Sequence, residues 1–139
     1  MNWKTSITIL LLTANAINDF KKREILLLPT ISYGLFGCFI LLSEKHTSFF
    51  RSLLCLLPGF FLLAVGKASN GKVGYGDGIL ILVLGVWTGF LECLLTLTAG
   101  LLLASIWAAA ALILKIHNKK DTIPFIPFLL IGYLARILI

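Results

Sequence analysis

Six apolar runs, separated by short connectors that hold most of the charge, leave this chain few ways to fold. The runs cover about residues 5–18, 25–43, 52–66, 78–91, 93–114 and 122–138. Of 139 residues, 59% are hydrophobic and 13% are charged, which is more apolar surface than one water-soluble core of this size needs. The expected fold class is therefore all-α, a polytopic membrane bundle of about six transmembrane helices. No internal repeat or linker breaks residues 1–139, and the connectors are too short for a second domain. A hydrocarbon core of about 30 Å asks for about 20 helical residues. The 14 uncharged residues from Thr5 to Asn18 fall short of that, so Asp19 is expected at the membrane boundary.

The first run also has the look of a signal peptide, with Ala14-Asn15-Ala16 as a small-residue cleavage site. The distribution of basic residues argues against removal. Lys21, Lys22, Arg23, Lys67, Lys72, Lys115, Lys119 and Lys120 fall in connectors one, three and five, whereas only Lys4, Lys45, Arg51 and Arg136 fall on the other side. Because short basic connectors stay in the cytoplasm, both termini are expected outside and connectors one, three and five inside, in a multi-pass protein of the cytoplasmic (inner) membrane. Asp19 opens connector one and Asp77 closes connector three, so the two carboxylates fall on the same face of the membrane. Glu44 and Glu92 fall on the other.

The formal charge of +6 is spread over short clusters with no basic face, so no nucleic-acid partner is expected. Cys38, Cys55 and Cys93 lie within or beside apolar runs without paired spacing and read as small buried hydrophobes. His46 and His117 sit in polar connectors. No metal site and no cofactor is expected from these residues. Asp121 follows Lys119 and Lys120, where a helix N-cap or a solvated ion pair is its expected role.

The most suggestive carboxylate is Asp77, in Gly71-Lys72-Val73-Gly74-Tyr75-Gly76-Asp77-Gly78. Glycines there allow positive φ or close approach of another group, and an ionisable residue where an apolar run meets water is a functional candidate. Two aspartates at one face suit an aspartyl dyad, in which carboxylates held together share a proton. They also suit an ion path, although that role usually places acids deeper in a bundle. For either residue alone, an unrelated boundary carboxylate is the simpler account. Ile123-Pro124-Phe125-Ile126-Pro127-Phe128 opens the last run on the same face. A proline in the first turn of a helix accounts well for Pro124 and less well for Pro127.

Three stretches resemble the type IV prepilin peptidases, membrane aspartyl proteases with a Gly-x-Gly-Asp signature. These are Asp19-Phe20-Lys21-Lys22-Arg23-Glu24-Ile25, Gly74-Tyr75-Gly76-Asp77 with its continuation to Gly89, and Ile123 to Leu129 with its Pro-Phe-x-Pro-Phe pattern. The resemblance departs at Leu26 and Leu27, where the family continues Pro-Asn, and at Ile79, where it usually has lysine. It implies Asp19 and Asp77 as catalytic residues, with Gly74, Gly76, Gly78 and Arg23 in the active-site loops. Pro124, Phe125 and Pro127 become candidate substrate contacts. The implied activity is an aspartic endopeptidase of the short, peptidase-only kind, without the methyltransferase domain of longer members. The implied partner is a pilin-like precursor (prepilin, Flp-type pilin or pseudopilin) in the lipid bilayer, cut of its basic leader. The competing expectation is a non-catalytic membrane protein, either a degenerate homologue that binds pilin-like helices or a small ion carrier.

Overall fold

The computed structural model describes residues 2–45, 48–72, 74–116 and 123–139. It contains six helices: α1 (Trp3–Lys22), α2 (Leu27–Ser43), α3 (Phe49–Ala68), α4 (Tyr75–Thr88), α5 (Phe90–Ile113) and α6 (Ile126–Leu138). No strand occurs among the described residues. The expected all-α membrane bundle is the fold observed, and α3 and α5 are long and apolar enough to cross a bilayer. Large apolar side chains such as Leu28, Phe39, Leu42, Phe49 and Leu102 point outward, a surface suited to hydrocarbon and not to water.

α4 lies at the centre, packed against α2, α3 and α5, while α6 bridges α5 and α1. Its buried residues include Gly78, Leu80, Ile81, Val83, Leu84, Gly85 and Val86, so it is covered nearly all round, whereas the other helices each bury a stripe. Small residues allow this. A Cβ at Gly85 would drive into the Cys55 carbonyl of α3, and one at Gly59 would stand 2.6 Å from the Leu82 amide nitrogen. Backbone contact of this kind is what drives association where lipid is as apolar as the side chains. At 14 residues, α4 rises only about 21 Å.

The helix limits differ from those read off the charges. α4 ends and α5 begins at Gly89, which takes φ 90, and not between Leu91 and Glu92. α1 continues through Asp19 as far as Lys22. Charge marks where water begins, and a helix can run past that point until its backbone finds a way to turn. Glu92 accordingly lies in the first turn of α5, where a carboxylate favours the positive end of the helix. His46, His117, Lys119, Lys120 and Asp121 lie outside the described residues.

Candidate active site

Asp19 belongs to a stripe of α1, Thr8, Leu12, Asn15, Ala16 and Asp19, whose spacing puts all five on the buried side. It is only 7% exposed. Its Oδ2 accepts the backbone N–H of Ile126, at 3.2 Å, across 107 positions of sequence. Ile126 is the first residue of α6, and first-turn amides have no acceptor in their own helix. The carboxylate supplies one. Pro127, at the second helical position, has no N–H to satisfy, and Pro124 precedes the helix. The first-turn role expected of Pro124 is therefore filled by Pro127.

Past Asp19 the chain turns sharply. Arg23 adopts φ 57 and donates its N–H to the Asp19 carbonyl at 2.8 Å, ending α1. Arg23 is also close enough to act on the Asp19 carboxyl electrostatically. Asn18 Nδ2 donates to the Glu24 carbonyl at 2.7 Å, and Asn15 Oδ1 accepts the Leu26 N–H at 2.8 Å. The connector is thereby folded back against the helix it leaves.

Asp77 is the third residue of α4, and its N–H donates to the Gly74 carbonyl at 3.2 Å. Its Oδ2 lies 3.2 Å from where a Cβ on Gly74 would be, so the carboxyl curls back over the start of its own helix. Of the glycines expected to need unusual backbone here, Gly71 has φ 81, whereas Gly74 is extended and Gly76 and Gly78 are helical. Gly76 and Gly78 serve close approach instead. A Cβ on Gly76 would meet Ile25 Cγ1 at 2.9 Å, and one on Gly78 would meet Leu63 Cδ2 at 2.7 Å. Ile25, from the first connector, thus rests on the residue beside Asp77.

The two aspartates lie within electrostatic reach of each other. Both lie at the end of the bundle where α1 ends and where α4 and α6 begin. Pro124, Phe125 and Pro127 reach the same end through Ile126. Glu92 does not: it pairs with Arg136 at the opposite end, where Arg136 also lies 5.5 Å from the Tyr133 ring centroid. Also at that end is a cavity of about 280 Å³ lined by Lys4, Glu44, Arg51 and Trp87 among others, and neither aspartate lines it. Among the described residues, no three His, Cys, Asp or Glu side chains are grouped to hold a metal ion.

Sequence reasoning missed Asn15, Ile25 and the Ile126 amide. Asn15 had a signal, since it is a polar amide inside an apolar run, four positions before Asp19 and so on the same face. Ile25 and Ile126 fall within the stretches that carry the family resemblance, but nothing in the sequence announces the contacts they make with distant segments.

The sequence model of the type IV leader peptidase family matches residues 6–114. Two similar curated proteins are prepilin leader peptidase/N-methyltransferases. The one from Aeromonas salmonicida is 27% identical over 96% of this chain and 49% of its own length. The one from Pseudomonas aeruginosa is 32% identical over 81% of this chain and 40% of its own. The chain thus spans about half the length of these relatives, or less. No solved structure gives a significant match. The matched residues run from the first turns of α1 past the end of α5 and include Asp19, Asp77 and the glycines beside it, and the chain belongs to the type IV leader peptidase family.

Proposed function

We propose that this chain is an aspartic endopeptidase that removes the basic leader of a pilin-like precursor, a prepilin, Flp-type pilin or pseudopilin, at the cytoplasmic face of the inner membrane. The observation that supports the reading is that two carboxyls, 58 positions apart in sequence (77 − 19), lie at one end of the bundle within electrostatic reach of each other. Two carboxyls that close on one substrate carbonyl share a proton, and their titration then belongs to the pair. The ionised member takes a proton from a water, which attacks the scissile carbonyl. The neutral member polarises that carbonyl and then protonates the departing amine. Ile126 keeps one Asp19 oxygen engaged and so fixes the direction of the carboxyl.

Gly74 lets the Asp77 carboxyl curl over the start of α4 and Gly76 admits Ile25 beside it, and Phe125 with the nearby prolines offers an apolar edge to the precursor's membrane helix. The basic connectors do not attract a basic leader, so docking relies on that helix and on backbone contacts. The cytoplasmic orientation rests on the excess of lysine and arginine in connectors one, three and five.

Co-expression with a pilin-like precursor tests the chemistry. Asp19→Ala and Asp77→Ala should each lower leader removal by at least about a hundredfold, the scale of a lost acid or base. Normal processing in either variant removes that residue from the proposed pair. A single cysteine at Lys72, in a background free of Cys38, Cys55 and Cys93, tests the orientation. It should react with an impermeant reagent only after the cells are opened; labelling of intact cells reverses the topology.

A further inference from the structure

We propose that Asn15 is a positioning residue for the aspartate pair: by fastening the connector between α1 and α2, it sets where the start of α4 stands relative to Asp19. The inference rests on the peptidase reading and adds to it a residue that touches neither substrate nor the reacting atoms.

Asn15 is fully buried, and all of its side-chain bonds lead to different parts of the chain. Oδ1 accepts the Leu26 N–H at 2.8 Å. Nδ2 donates to the Leu11 carbonyl at 3.0 Å and to Thr30 Oγ1 at 3.1 Å, and Thr30 is itself fully buried in α2. One amide thus joins α1, the connector and α2. Leu26 stands immediately before α2, where its N–H has no acceptor in that helix, so Asn15 caps α2 much as Asp19 caps α6. Both caps come from one stripe of α1, one turn apart.

The mechanical link to the site is short. Fixing Leu26 fixes its neighbour Ile25, and Ile25 packs against Gly76, the residue before Asp77. Packed contacts of this kind transmit displacement because interiors have little free space. Asn18 fastens the same connector through the Glu24 carbonyl, but at an exposed site where water competes for the bond. A helix that only needed to lie in lipid would gain from an apolar residue at position 15, since a polar group there requires partners inside the protein.

The test uses the full-length chain in lipid nanodiscs with a synthetic pilin-like precursor. Asn15→Leu, nearly isosteric, should lower kcat by about tenfold to a hundredfold, the scale expected for a misplaced reacting group, and leave KM within about twofold. The pH profile gives the readout that a purely structural role would not move. Among the described residues, the charged groups acting on the pair are Arg23 and the other aspartate, with the Phe125 and Ile126 amides facing Asp19. Weaker coupling between the acids should draw the two limbs of the kcat/KM profile together. Thr30→Val, which removes the hydroxyl partner, should shift the profile the same way by a smaller amount, and Thr30→Ser should restore it. Asn18→Ala should change neither.

An Asn15→Leu protein with unchanged kcat, or with reduced kcat and unmoved pH limbs, overturns the inference. If that variant does not fold, the Thr30 pair decides alone, and equal profiles for Val and Ser overturn it. Cleavage by Asp77→Ala under the same conditions would instead overturn the peptidase reading.

Discussion

At one end of the bundle Glu92 pairs with Arg136, and at the other Asp19 and Asp77 lie within electrostatic reach of each other. The first acid has a cation beside it, and the surrounding aromatic side chains hold one another. Tyr33 stacks on Trp87 at 4.4 Å, Lys4 Nζ lies 5.9 Å from the Trp87 ring centroid, and Trp87 Nε1 donates to the Tyr33 carbonyl at 3.1 Å. The second pair is two like groups held by backbone: an α6 amide on Asp19, and the start of α4 under Asp77. A carboxylate matched to a cation has its charge satisfied and serves packing. Two carboxyls held near each other interact unfavourably when both are charged, a relation that only the fold maintains.

Substitutions at the two ends should therefore fail in different ways. The largest effect expected is at the acid end. Gly76→Val would drive a branched side chain into Ile25 and should lower leader removal by about tenfold, with the thermal midpoint falling by only a few degrees. Cleavage at the normal rate would mean that the contact between Ile25 and Gly76 does not hold the site. Next comes Trp87→Phe, which keeps the ring stack but loses the N–H donor. It should cost about 1 kcal/mol in denaturant unfolding, with kcat within about twofold of normal. A large fall in activity there would erase the distinction between the ends. The smallest is Glu92→Gln. Arg136 and Glu92 are 29% and 47% exposed, so breaking their pair should cost less than about 1 kcal/mol, and less still at high salt. A loss of several kcal/mol, measured by the same unfolding assay, would make the pair a central fastening of the bundle.

Much of this arrangement could be read from the residues. The apolar runs correspond to the helices, and the charge pattern alone predicts that Asp19 and Asp77 lie toward one end of the bundle. The Gly-Tyr-Gly-Asp stretch is legible as a special site, although most of its glycines serve close packing and not a turned backbone. The points where helices stop were not legible. Gly89 breaks the chain through its own φ, with no charge to announce it, and Arg23 takes a left-handed conformation that arginine seldom adopts. The capping of α6 was hidden for a different reason. Its acceptor, Asp19, looks from sequence alone like a residue with one task, and the amide it receives belongs to an apolar isoleucine 107 positions away.

That hydrogen bond makes the two acids unequal as experimental targets. Alanine at 77 deletes an acid, whereas alanine at 19 also unfastens the leading edge of the C-terminal helix. Asparagine at 19 would keep a carbonyl oxygen for Ile126 while giving up the exchangeable proton, so it isolates the loss of chemistry from the loss of anchorage.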